Sequence, residues 1–173
     1  MTTKTNIVLI GFMGTGKTTV GKFLANRLKL TFTDMDDCIV ERVGKSIPAI
    51  FADDGEPAFR KLERQVVVDL SARRSLVIAT GGGVVLNPDN IRDLGATGLL
   101  VALTASPDVI LERLRHDSGR PLLSAGDKGE KIRTLLAARQ HLYDAIPEKI
   151  DTDLLTRETV AKRIMDLYAR LNA

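Results

Sequence analysis

The chain has 173 residues, 44% hydrophobic and 27% charged, with 25 Lys and Arg against 22 Asp and Glu and a formal net charge of +3. That is enough chain for one domain with its own core, and so mild a balance, with no run of Lys or Arg, argues against a nucleic-acid partner. A lone Cys38 excludes an intrachain disulfide, and no apolar stretch nears the ~18 residues that cross a bilayer, so no membrane partner is expected.

Residues 1–6 carry no signal-peptide core, which predicts a cytoplasmic protein. Residues 6–10 form a short apolar run of strand length, and Val20, Leu24 and Leu28 further on recur at helical spacing. Between them stands Gly11-Phe12-Met13-Gly14-Thr15-Gly16-Lys17-Thr18, which fits G-x-x-x-x-G-K-[ST]. Strand, loop and helix are the setting that this pattern needs to cradle phosphates. The backbone of Gly14, Thr15, Gly16, Lys17, Thr18 and Thr19 would hold the phosphates, helped by the positive end of the helix. Lys17 would reach the β- and γ-phosphates, and the Thr18 hydroxyl would ligate Mg²⁺. The expected ligand is a nucleoside triphosphate.

A second strand is predicted over residues 30–33, delivering Asp34-Met35-Asp36-Asp37. Short helices follow over 39–42, closed by Gly44, and over 46–51. A turn at 53–56 leads into a longer helix whose buried stripe reads Phe59, Leu62, Val66 and Leu70, leaving Arg60, Glu63 and Arg64 off it. Residues 76–79 are a third strand, ending in Thr80-Gly81-Gly82-Gly83. Asn87-Pro88 reads as a helix start, residues 99–103 as a fourth strand apolar on both faces, and Ser106-Pro107 as another helix start. Residues 115–129 hold four Gly or Pro residues among charges, the composition of either a disordered segment or a functional lid. A helix over about 130–142, a fifth strand over 149–151 and a last helix with Val160, Ile164, Leu167 and Leu171 on one face complete the chain. Alternating strands and helices predict an α/β fold, a doubly wound parallel sheet with ligands beyond the carboxyl ends of its strands.

The GTPase signatures, Asp-x-x-Gly and Asn/Thr-Lys-x-Asp, are missing. The hydrophobic-strand Asp that holds Mg²⁺ in many ATPases is missing too, because the third and fourth strands end in Thr80-Gly81 and Thr104-Ala105. Asp34 or Asp36 is the nearest substitute. One would assist the metal, directly or through water, while the other faces an acceptor hydroxyl. A kinase must also favour its acceptor over water, which a closing lid achieves. Arg120 lies in the predicted lid, able to swing onto the phosphates. His116 and His141 fit no motif and read as surface residues.

The phosphate loop, Asp34-Met35-Asp36, Phe59-Arg60-Lys61-Leu62-Glu63, Gly81-Gly82-Gly83-Val84-Val85, Arg120-Pro121-Leu122-Leu123, and Arg139 with Leu142-Tyr143 occur in that order. Together they resemble the shikimate kinase family over essentially the whole chain. Thr15 and Thr18 stand where that family commonly has Ala and Ser. The resemblance implies a five-stranded P-loop NTPase fold of the nucleoside-monophosphate-kinase kind. It would be a single kinase domain over 1–173, with a substrate-binding insertion at about 35–62 and a lid at about 115–129. It implies transfer of the ATP γ-phosphate to the 3-hydroxyl of shikimate in the pathway to chorismate and the aromatic amino acids. On that mapping Asp36 binds the acceptor hydroxyls and serves as base. Arg60 and Arg139 clamp the substrate carboxylate, and the Gly82 and Gly83 region offers it backbone N–H groups. Asp34 positions Mg²⁺, through water, and Arg120 joins Lys17 around the phosphates. A planar arginine fork suits a carboxylate, and Glu63, three residues after Arg60, would hold that guanidinium in place. A monomer is expected. The rivals are a gluconate-type or other small-metabolite kinase on the same fold, and a nucleotide-dependent regulator without turnover.

Overall fold

The computed structural model describes residues 4–117, 120–123 and 126–173. Its strands are β1 (Asn6–Ile10), β2 (Thr31–Asp34), β3 (Leu76–Ala79), β4 (Gly98–Thr104) and β5 (Glu148–Asp151). They form one sheet in the order β2-β3-β1-β4-β5, with every neighbouring pair parallel. β1 lies at the centre, pairing Val8 with Ile78 of β3 and with Leu100 of β4, and all five of its residues are buried. Its alternate side chains feed two separate cores. Val8 and Ile10 join the layer of α2 (Met35–Val43), α3 (Ile47–Asp53), α4 (Gly55–Ser71), α5 (Pro88–Thr97), α6 (Pro107–Arg113) and α7 (Lys128–Asp144). Ile7 and Leu9 face α1 (Lys17–Leu28) and α8 (Arg157–Leu171). An apolar run with no polar alternation is what a strand covered on both faces requires. The chain enters the sheet at β1 and builds outwards to both sides of it, so the loop after β1 opens at the switch point of the sheet, where such folds bind ligands.

Several elements differ from their sequence-based bounds, and one difference moves a candidate residue. β2 extends to Asp34, whose Oδ1 accepts the Asp36 backbone N–H at 3.0 Å and so caps α2. The helix therefore begins at Met35, and Asp36 stands in its first turn rather than in a strand-end loop. On α4 the buried stripe runs Phe59, Glu63, Val66, Val67 and Leu70; Glu63 is only 2% exposed, against the expectation that it lies off the stripe. Leu171 is 55% exposed, because the buried face of α8 ends at Val160, Ala161 and Ile164. α7 starts two residues before the expected Glu130, capped by Asp127, which accepts the Glu130 N–H at 2.8 Å. Within the predicted lid, Ser118, Gly119, Ser124 and Ala125 lie outside the described residues; Pro121–Leu123 form a short 3₁₀ turn. His116 and His141 are exposed, as expected, and no helix among the described residues is long and apolar enough to cross a membrane.

Candidate active site

The first wall of the site is the loop after β1. Among the described residues six helices have side-chain N-caps: Asp34, Ser46, Asn87, Ser106, Asp127 and Thr156 cap α2, α3, α5, α6, α7 and α8. α4 has none, and neither does α1. Its N-cap is Gly16 at φ 98°, a left-handed conformation that glycine adopts freely and other residues resist. The first-turn amides of α1 are thus left for an external acceptor, and an anion at a helix N-terminus satisfies both the donors and the dipole. Lys17 folds back beneath them. Its Nζ donates to the carbonyls of Gly11 at 2.6 Å and Phe12 at 2.9 Å. Burial, then the neighbouring Arg120 charge, lower its pKa from 10.5 to about 8, against the pull of Asp36 and Asp34. The Thr15 hydroxyl turns inward and donates to Phe12 O at 2.8 Å, so the extra hydroxyl at this position is satisfied within the loop.

Thr18 and Asp34 meet across the cleft, the hydroxyl donating to Asp34 Oδ2 at 3.1 Å. Both present hard oxygens beside the phosphate loop. That donor set fits Mg²⁺, which takes one or two protein oxygens and draws the rest from phosphate and water. Among the described residues no group of three or more His, Cys, Asp and Glu side chains is placed to hold a metal alone.

Asp36 lines the passage between the phosphate cleft and a second pocket, together with Met13, Gly81, Gly82 and Arg120. Burial is the main cause of its raised pKa, and the Asp34 charge adds to it; Arg120 and Lys17 oppose the shift. Arg120, whose Nε donates to Asp117 at 3.0 Å, borders both cavities without any rearrangement of the lid.

The second pocket is walled by Ile47, Phe51 and Phe59 on one side and by Arg60, Arg139 and the triple glycine on the other. The Phe51 and Phe59 rings are 4.8 Å apart, and the Arg60 guanidinium lies 5.2 Å from the Phe59 ring. Arg60 is held from two sides: Nη1 donates to Glu63 Oε1 at 3.0 Å, and Nη2 donates to Glu56 Oε1 at 3.0 Å. Burial raises the Glu63 pKa in spite of Arg60. A Cβ at Gly83 would lie 2.4 Å from Arg60 Nη2, so a larger residue there would push the guanidinium out of its present place. Arg139 is different. It is 5% exposed, and among the described residues no carboxylate lies within ion-pairing distance of it. It shares a side-chain hydrogen bond with Tyr143, a neutral group that leaves its charge uncompensated, and an uncompensated buried cation favours an anion beside it.

Comparison with known proteins places this geometry. The shikimate kinase family model matches residues 13–169. The chain belongs to the shikimate kinase family. The shikimate kinase of Pelotomaculum thermopropionicum is 48% identical, over 96% of this chain and 97% of its own. That of Thermodesulfovibrio yellowstonii is 45% identical over 96% of each chain. The Acinetobacter baumannii shikimate kinase, solved in complex with shikimate, superposes with a TM-score of 0.92 at 38% identity, covering 97% of this chain and 94% of that one. A gluconokinase from Sinorhizobium meliloti shares only the fold, at 17% identity and a TM-score of 0.60.

The residues singled out in this shikimate kinase family member from its sequence, Thr15 apart, line two adjoining cavities: Gly14, Gly16, Lys17, Thr18, Thr19, Asp34, Asp36 and Arg120 around one, and Asp36, Arg60, Gly82, Gly83, Arg120 and Arg139 around the other. A third cleft of about 350 Å³ was missed. It opens from Gly14, Gly16 and Thr19 towards Arg113, Thr152, Leu155 and Arg157. Arg113 stitches its floor, Nη1 donating to Gly14 O at 3.1 Å and Nη2 to Thr152 O at 2.9 Å. The strand-end rule, applied to β5 as it was to β1–β3, would have flagged residues 152–157.

Proposed function

We infer that the chain is an ATP-dependent shikimate kinase, transferring the γ-phosphate of ATP to the 3-hydroxyl of shikimate to give shikimate 3-phosphate and ADP. The observation that carries the reading is the adjacency of the phosphate loop to a pocket where Asp36 faces two arginines, on a chain 48% identical to a curated shikimate kinase. Gluconate-type kinases are not favoured, since the likeness to them stops at the fold.

In this reading the amides from Gly14 to Thr19 hold the ATP phosphates and complete the bare end of α1. Lys17 exchanges its two loop carbonyls for phosphate oxygens, and Arg120 meets the γ-phosphoryl charge from the opposite side. Thr18, and Asp34 by way of water, would hold Mg²⁺, which would supply charge neutralisation at the phosphates. The base of the nucleotide takes the third cleft, where Arg113, Arg157 and Leu155 replace the aromatic stack that a chain without Trp does not offer. On the acceptor side, Arg60 and Arg139 bind the carboxylate, and the amides at Gly82 and Gly83 add donors. Asp36 accepts from the hydroxyls and takes the 3-hydroxyl proton as the phosphoryl group arrives. Residues 35–62 act as the acceptor-binding insertion and 115–129 as the lid that excludes water. A cytoplasmic monomer fits the single cysteine and the near-balanced surface.

The deciding experiment measures ADP release with shikimate, gluconate and AMP as acceptors. Turnover confined to shikimate is expected; activity on another acceptor without it would overturn the reading. Two further outcomes are expected. Arg120→Ala should lower kcat by about a hundredfold or more with little change in either KM, since an arginine on the γ-phosphoryl group acts in the transition state. Equal rates would remove Arg120 from the chemistry. Lys17 is half neutral at about pH 8 in the free protein and cationic once phosphates surround it. ATP binding should therefore take up a proton at pH 9 and weaken as pH rises beyond 8. Calorimetry in buffers of different ionisation enthalpy reads that uptake, and none at pH 9 would contradict the assignment.

A further inference from the structure

Tyr143 stands in the sequence motif around Arg139, yet no step above uses it. It is 2% exposed, and its hydroxyl donates to the Gly82 carbonyl at 2.6 Å, across 61 residues of chain. It sits four residues after Arg139 on α7, so one turn of one helix supports both the buried guanidinium and the glycine strand end. Burial raises the phenol's pKa despite the Arg139 charge, a side-chain hydrogen bond with Arg139 and the Arg60 charge, so the hydroxyl keeps its proton throughout the neutral range while also touching the guanidinium.

The Gly82 carbonyl belongs to the peptide whose N–H is that of Gly83. That peptide is trans, so its oxygen and its N–H point in opposite directions. It is also flanked by glycine on both sides, with no Cβ to resist a flip of its plane. The peptides on either side are held, the Val84 N–H donating to the Gly81 carbonyl at 3.1 Å and the Leu86 N–H to the Gly83 carbonyl at 3.0 Å, but among the described residues no protein acceptor is hydrogen-bonded to the amides of Gly81, Gly82 or Gly83. A flipped peptide would turn a carbonyl oxygen towards the place its N–H now faces, and a carbonyl beside an incoming carboxylate repels it.

We propose that Tyr143 is a positioning residue for the acceptor, latching the Gly82–Gly83 peptide so that amide hydrogen rather than carbonyl oxygen meets the substrate carboxylate. The proposal rests on the acceptor reading given above. Arg139 supplies the charge, and Tyr143 supplies the orientation of the neighbouring neutral donor, from the same helix.

The test compares the full chain with Tyr143→Phe, which keeps the ring. The shikimate KM should rise about tenfold, the worth of one hydrogen bond to a charged group, while the ATP KM stays within about twofold. The methyl ester of shikimate should lose much less between the two proteins, because it offers the amides no charge. Placing 4-aminophenylalanine at 143, which restores a donor, should bring the shikimate KM back. In the wild-type chain, independent of any variant, the Gly83 amide proton should shift downfield on adding shikimate and not on adding the ester. An unchanged shikimate KM in Tyr143→Phe overturns the latch even if the melting temperature falls, since a packing role alone would move only the latter. Equal losses on acid and ester, or a Gly83 amide indifferent to shikimate, overturn it too. Wild-type turnover on shikimate is the control: its failure would sink the acceptor reading, whereas turnover with an unmoved KM sinks only the latch.

Discussion

Replacing Asp36 with Asn is expected to lower kcat by about a thousandfold, within the range for losing a general base, and to leave ATP affinity within about twofold. The substitution keeps shape and burial and removes only the charge. Asp36 sits in the first turn of α2, half-buried and with the Asp34 carboxylate nearby, and burial first and then that charge push its pKa upwards. A carboxylate so placed holds a proton more firmly than one in water, which makes it the better acceptor for the hydroxyl proton at the moment of transfer. The same shift sets a pH dependence. In the wild-type protein the rate should fall with acidification through a pKa above the usual carboxylate value of about 4, and that acid limb should vanish in the Asn variant. Near-normal kcat in Asp36→Asn would remove the residue from the chemistry, and equilibrium ATP binding in the same protein shows whether the donor side is intact.

Arg139 and Arg60 should fail in opposite ways, although both would contact the same carboxylate. Arg139→Met should weaken shikimate binding by about 2–4 kcal/mol, the range for a lost buried charge pair, or about 30- to 1000-fold in KM. It should nevertheless leave the melting temperature unchanged or raise it, because the free protein no longer buries a cation without a carboxylate partner. Arg60→Ala should weaken binding as well but lower the melting temperature, since it strands Glu63, 2% exposed and hydrogen-bonded to Arg60 Nη1. Measured shikimate KM and thermal melts on both variants separate the two effects. An unchanged shikimate KM in Arg139→Met, or a destabilised one with normal binding, would contradict the clamp.

Much of this site was legible because its chemistry needs backbone shape as well as side chains. Gly11 to Thr18 advertises itself through glycines that allow close approach, and β1 through an unbroken apolar run, so both were placed to the residue. Asp34 was harder to read. An acid at a strand end serves equally as helix cap or metal-side ligand, and here it does the first through Oδ1 while its Oδ2 reaches Thr18. Glu63 was misjudged by the helical pattern, which counts a carboxylate as solvent-facing; its position between Phe59 and Val66 on the buried stripe becomes intelligible only once Arg60 is seen against Gly83. The cleft at Arg113 and Thr152 was legible only in part: the end of β5 points to residues 152–157, whereas Arg113, on α6, meets them only in the folded chain.

The bare start of α1 has a consequence for the molecule as a whole. Six of its helices carry their own caps, whereas α1, packed against the central strand, α8 and β3, does not. A glycine N-cap in place of Ser, Thr, Asp or Asn costs a helix only a few tenths of a kcal/mol, and here the acceptor that Gly16 cannot supply is the ligand itself. The nucleotide thus becomes a structural component of the fold, completing the helix that the polypeptide leaves unfinished. Mass action then ties the integrity of the protein to its donor: at a nucleotide concentration about 100 times Kd, the folded state gains roughly 2.7 kcal/mol. The unliganded chain is then the less stable form.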